Sequence, residues 1–189
     1  MNTTSKHSVS IAIIYHSEGG HVAALAKRIV QGAQKRNNTI VDCFSIDECH
    51  PRILVNYDGI ALGCPTRFGN ISAAMKLWLE KSIDDWYQNN LQDKIGASFT
   101  VSGGICGDKA HTLSMINHFF LMHGCIVIGN PQSEYNTDRF VGVGAKTRRP
   151  DRDGCFFEEK EGLIAEDLGQ RLAEITHRFH ETKIITTSK

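Results

Sequence analysis

A doubly wound α/β fold built on one parallel sheet is the architecture this sequence predicts, and two features predict it. Short apolar runs alternate repeatedly with longer segments of helical period. The first run, Val9–Tyr15, is almost continuously apolar, as a strand covered on both faces must be.

After that strand comes a glycine-rich turn, Ser17-Glu18-Gly19-Gly20, and then a helix. Val22, Leu25, Ala26, Ile29, Val30 and Ala33 fall on one face of a 3.6-residue period, with Lys27, Arg28 and Lys35 off it. Asn37-Asn38 breaks the helix. Residues 39–44 form a second strand candidate and 57–63 a third, which ends at Cys64-Pro65. Ile71, Ala74, Met75, Trp78 and Leu79 mark the next helical face. A fourth strand over 94–101 ends in Ser102-Gly103-Gly104, a helix spans 110–123, and the fifth strand covers 125–129. The stretch 130–155 is rich in Gly, Asp and Arg and reads as irregular. Ile164, Leu168, Leu172, Ile175 and Phe179 give the last helix its apolar face. Right-handed crossovers place the helices on both sides of a five-stranded sheet, in the order 2-1-3-4-5.

At 189 residues the chain suits one domain, with a core expected over about 8–181. Lysine plus arginine equals aspartate plus glutamate at 21 each, which argues against a basic nucleic-acid-binding surface. No apolar run reaches the ~20 residues of a membrane span, and the polar first residues do not resemble a signal peptide. A cytoplasmic location is the expectation. Six cysteines without CxxC spacing read as small core residues kept reduced. Among nine histidines there is no HExxH and no zinc-type Cys/His cluster, so no metal is expected. Asp151-Arg152-Asp153-Gly154 only brushes the start of a calcium loop.

In such sheets, ligands bind outside the carboxyl ends of the strands. The turn Ser17-Glu18-Gly19-Gly20-His21-Val22 opens the first helix, where unsatisfied N–H groups and partial positive charge favour phosphate. It lacks both GxGxxG and the Lys-[Ser/Thr] ending of a triphosphate loop, so a terminal monophosphate fits better than ATP or a dinucleotide. Glu18, a carboxylate beside a dianion, is expected to point to solvent. After the third strand, Pro65 stiffens a turn in which Thr66 and Arg67 offer donors. Phe68 there can pack on a flat ring, and Gly69 permits close approach.

The run Pro65-Thr66-Arg67-Phe68-Gly69-Asn70, with Ser17, Gly20 and His21 upstream, resembles the WrbA-type NAD(P)H:quinone oxidoreductases, flavodoxin-like FMN enzymes that are typically tetrameric. The likeness extends over most of the chain. It implies that Ser17, Glu18, Gly19, Gly20, His21 and Val22 cradle the FMN phosphate. Pro65, Thr66, Arg67, Phe68 and Gly69 would contact the isoalloxazine and ribityl region. Val101, Ser102, Gly103, Gly104, Ile105 and Cys106 would follow the pyrimidine edge, and His123 would also touch the cofactor. Trp86 and Met122 would line the slot for quinone and for NADH or NADPH, and the protein would be a homodimer or homotetramer. No side chain need act as a nucleophile, since the flavin carries the chemistry.

The sequence departs from the family at five points, one of which is a shorter segment between the second and third strands, a region the family uses for assembly. Gly19 replaces an aromatic, Val101-Ser102-Gly103-Gly104-Ile105-Cys106 has two fewer hydroxyls, Met122 replaces the first of two histidines, and Gly129-Asn130 replaces a tyrosine. These departures leave open a second reading, an FMN-binding carrier or accessory protein without nicotinamide turnover. A third is a domain that has lost FMN and serves as an interaction module.

Overall fold

Alternation along β1 (Val9–Tyr15) sets the two layers of the core. The structure, a computed structural model, describes residues 8–104, 108–130, 141–148 and 156–187, with side chains to residue 180. Ile11 and Ile13 face one cluster with Leu25, Ile29, Phe99, Leu168 and Leu172. Ala12 and Ile14 face the other, with Ile60, Leu62, Met75, Trp78, Ile116 and Phe120. Each of the large aliphatic side chains stabilises the fold by roughly 1.5–3 kcal/mol through its burial.

The remaining elements follow in order as α1 (His21–Gln34), β2 (Thr39–Ser45), a 3₁₀ turn (Pro51–Asn56), β3 (Gly59–Pro65) and α2 (Ala73–Glu80). Then come α3 (Ile83–Tyr87), β4 (Ile95–Ser102), α4 (Lys109–Met122), β5 (Ile126–Val127), β6 (Val143–Lys146) and α5 (Glu159–Thr187). Every pairing between these strands is parallel, and the order is β2-β1-β3-β4-β5. The strand order and the helices on both faces are those the sequence predicts. Among the described residues, no helix is long and apolar enough to cross a membrane.

The fifth position of the sheet differs from the expectation. Only Ile126–Val127 of the predicted run 125–129 is paired, against Ile95 and Gly96. Further along the same neighbour, β6 pairs with residues Phe99 to Ser102. β6 lies within the stretch read as irregular. Its sequence, Val-Gly-Ala-Lys, has one β-branched residue and so little strand signature of its own. Tertiary contacts hold it instead: the Lys146 N–H donates to Glu161 Oε1 at 2.8 Å, and the carboxylate's other oxygen accepts from the Glu158 N–H at 3.2 Å. The short helix α3 was likewise not visible as a separate element. The calcium-like run 151–154 lies outside the described residues.

α1 and α5 pack side by side on one face. Their backbones approach so closely that a Cβ on Gly32 would overlap the Glu166 carbonyl, and one on Gly169 would overlap that of Ile29. Around this contact, Arg28 pairs with Glu159 at 2.6 Å and with Glu166 at 2.8 Å, and Lys35 pairs with Glu166 at 2.6 Å. Overpacking a core contact costs about 1–3 kcal/mol. Gly32→Ala is therefore expected to cost about 1–3 kcal/mol of stability, seen as a lower urea midpoint at unchanged slope.

Candidate functional site

Three loops leave the sheet side by side at its carboxyl edge. Backbone bonds lock them together: the His16 N–H donates to Gly63 O at 2.9 Å, and the Thr66 N–H to Val101 O at 2.8 Å. A second tie runs through hydroxyls, with Thr100 Oγ1 donating to Cys64 O at 2.6 Å and lying 3.0 Å from Thr66 Oγ1.

The first loop turns into α1 through Gly20, whose φ of 80° is left-handed and costs glycine nothing. The helix start has no side-chain cap and no acidic residue in its first turn. Ser17 Oγ accepts from the Ala23 N–H at 3.3 Å, inside that first turn. His21 packs edge-on against Phe156 with ring centroids 4.6 Å apart, and its Nε2 lies 3.3 Å from the Arg148 carbonyl. Val22 is buried in the core.

The second loop is a two-residue hairpin. Arg67 and Asn70 exchange backbone bonds of 2.8 and 3.0 Å, and Phe68 and Gly69 between them have φ of 51° and 77°. Positive φ at both positions is the type I′ geometry, unusual for a bulky residue at the first of them. It puts Phe68 at the tip with its ring fully exposed. In the third loop, Ser102 Oγ donates to Gly104 O at 2.8 Å, and the Thr147 N–H donates to Ser102 O at 2.8 Å.

Between the loops lies a cavity of about 450 Å³, lined by Ser17, Glu18, Gly19, His21, Val22, Pro65, Thr66, Arg67, Val101, Ser102, Gly103 and Thr147. Thr147, which follows β6, carries no motif signal in the sequence. Ile105 and Cys106 lie outside the described residues. Glu18 is 62% exposed but not isolated: its Oε2 lies 2.5 Å from Arg67 Nη2 and its Oε1 lies 3.8 Å from His16 Nε2. An exposed pair of this kind contributes only about 0–1 kcal/mol, so it opens easily. On its other side is a second cavity of about 600 Å³, reached by His16, Phe68, Asn70, Ser72, Lys76 and Met115. His16 and Ser72 were not singled out in the sequence. Both are buried, with His16 Nδ1 2.8 Å from Ser72 Oγ. Burial raises the Cys64 thiol pKa, against hydrogen bonds from Ser72 that lower it.

Three sequence-predicted residues lie elsewhere. The Asp93 N–H, just before β4, donates to Gly124 O at 3.0 Å, so His123 sits at the amino edge of the sheet. Thr66 is bonded at the carboxyl edge, beside Val101. The strand between these levels is about 20 Å long at ~3.3 Å per residue. Trp86 Nε1 donates to the Met122 carbonyl at 2.7 Å, so Trp86 and Met122 stand with His123. Within one chain these three therefore lie apart from Thr66, because α4 runs antiparallel to the strands and carries its last turn to the far end. There they line a third cavity of about 680 Å³ with Ile83, Phe119 and Ser82. His123 Nε2 lies 3.2 Å from Ser82 Oγ, while its buried Nδ1 has no hydrogen-bond partner. Among the described residues, no three His, Cys, Asp or Glu side chains group to hold a metal.

Desolvation holds His123 below the usual histidine pKa, opposed by the Asp85 charge. Below about pH 6.5 the unfolded chain therefore binds a proton that the folded one does not, and stability falls. Denaturation midpoints measured from pH 8 down should decline through that window, and His123→Gln should flatten the decline.

The family model described as NADPH-dependent FMN reductase matches residues 46–138. An NAD(P)H dehydrogenase (quinone) of Acidithiobacillus ferrooxidans is 30% identical over 195 residues, covering 89% of this chain and 98% of the relative. One from Archaeoglobus fulgidus is 29% identical over 196 residues, with the same coverage of 89% and 98%. Among solved structures, a flavodoxin, WrbA-like protein from Agrobacterium tumefaciens superposes with a TM-score of 0.73 at 23% identity, over 91% of this chain and 99% of that one.

Proposed function

The chain belongs to the flavodoxin-like, WrbA-type NAD(P)H dehydrogenase (quinone) family, and on that premise we infer an enzyme that uses FMN to pass two electrons from NADH or NADPH to quinones. The observation that carries this reading is the cleft at the carboxyl edge. There a helix start whose N-cap, Gly20, has no side chain faces the Thr66-Arg67 bend across a cavity of about 450 Å³. Ser17 Oγ takes the Ala23 N–H, and a phosphate would meet the N–H groups before it: the helix dipole favours a dianion, and no first-turn carboxylate opposes it.

In this reading Ser17, Gly19, Gly20, His21 and Val22 hold the phosphate, and Glu18 forms the rim. Pro65, Thr66, Arg67, Phe68 and Gly69 border the ring system, with the exposed Phe68 ring offering an apolar face to a flat partner. Backbone N–H groups along Val101, Ser102, Gly103 and Gly104 would lie along its pyrimidine edge and stabilise negative charge there. Bound there, FMN would supply the hydride and electron transfer between nicotinamide and quinone. The protein contributes binding, orientation and electrostatics, and the residues present fit that task.

Trp86, Met122 and His123 are assigned to a second subunit's cleft, which makes the protein a homodimer or homotetramer. Their distance from the cleft of their own chain supports this. So does their position on an apolar cavity wall, where Met122 is 67% and Ile83 52% exposed.

Protein purified with FMN should be yellow, bleach on anaerobic mixing with NADH or NADPH, and regain its colour with benzoquinone. A yellow protein that neither nicotinamide bleaches would make it a carrier. Light scattering should give a dimer or tetramer, and Met122→Lys should shift it towards monomer. A monomeric wild type would remove the shared-cleft assignment.

A further inference from the structure

We propose that His16 is a catalytic residue, the donor of the proton that completes quinone reduction, and that the cavity of about 600 Å³ beyond the Glu18–Arg67 pair is where the quinone oxygen receives it. The proposal rests on the quinone-reductase reading above. The reaction itself demands a donor. NAD(P)H gives up one hydride, that is two electrons and one proton, whereas a quinone needs two electrons and two protons to become a hydroquinone. One proton must come from elsewhere, onto the oxygen that would otherwise leave as an anion.

The charged or titratable groups on this cavity are His16, Glu18, Arg67 and Lys76. Lys76 is engaged with Glu80 at 2.9 Å, and Arg67 does not release a proton near neutral pH. Histidine is the side chain suited to give a proton and regain it in each turnover near neutral pH. The surroundings of His16 set which nitrogen does so. Its side chain is 9% exposed, and Nδ1 is 2.8 Å from the buried Ser72 Oγ. That hydroxyl also accepts from the Met75 N–H at the start of α2 at 3.4 Å. Nδ1 is thus held at the buried floor, while Nε2 lies 3.8 Å from Glu18 Oε1 on the cavity side and is the nitrogen that gives up its proton.

The step then balances. The imidazolium Nε2–H bond breaks as the quinone O–H bond forms, leaving neutral His16 as the Nδ1–H tautomer bonded to Ser72. Water, through the exposed Glu18 carboxylate, returns the proton to Nε2. Ser72 is a positioning residue, since it fixes the ring and its tautomer without touching the quinone.

Benzoquinone and ferricyanide separate this role from a structural one, because ferricyanide accepts electrons without a proton. In His16→Asn, and separately in His16→Gln, the ratio of benzoquinone to ferricyanide turnover should fall at least about tenfold. The ratio divides out any change in flavin loading or in NAD(P)H oxidation. Imidazole ¹⁵N spectra of the flavin-free wild type supply a readout apart from turnover. His16 should appear as the Nδ1–H tautomer when neutral. An unchanged ratio in the variants, or an Nε2–H tautomer, would overturn the proposal. If NAD(P)H bleaches the wild type while the ratio stays constant, only this inference fails. If NAD(P)H does not bleach the wild type, the parent reading fails with it.

Discussion

The cleft depends on three parallel strands ending level with one another. Tyr15 pairs with Gly63, and Gly63 with Phe99, across β1, β3 and β4. This register works because Gly63 has no side chain: the Phe99 ring occupies the space a Cβ would take. A one-residue slip would invert the faces of a buried strand and move every loop residue with it. The two helical layers therefore act on the site indirectly. By burying Ile11 and Ile13 on one side and Ala12 and Ile14 on the other, they fix the height at which Ser17, Thr66 and Ser102 emerge.

Electrostatics at that edge is divided by depth. Glu18 and Arg67 are exposed and weakly paired, suited to parting when a ligand enters. His16, Ser72 and Cys64 below them are buried, and the His16 ring is hydrogen-bonded to Ser72, which suits a group whose orientation must persist. The rim can move while the floor keeps its geometry.

Much of this was legible in the residues. The apolar run of β1 and the 3.6-residue stripe of α1 state their structure directly, because burial on two faces and on one face leave different periods. Pro65 to Asn70 was readable as a turn because Pro65 and Gly69 punctuate it, but the left-handed φ of Phe68, which holds its ring out at the tip, was not. β6 was not legible: a four-residue strand with a glycine is held by the Glu161 carboxylate, a contact fifteen residues away. Nor were the far-end positions of Trp86, Met122 and His123, since a likeness in residue types does not say where the fold sets them. His16 escaped notice because one histidine after a strand has no pattern. Only the fold brings Ser72, 56 residues later, to its ring.

The divided outer rung of the sheet has a consequence for the life of the protein in a crowded solution. A long, regular border strand offers its unpaired amides and carbonyls as a template on which another chain can zip. Here that border consists of a two-residue piece and a four-residue piece. An incoming strand finds too short a run of donors and acceptors on this side to propagate, so the interruption blunts this edge of the sheet.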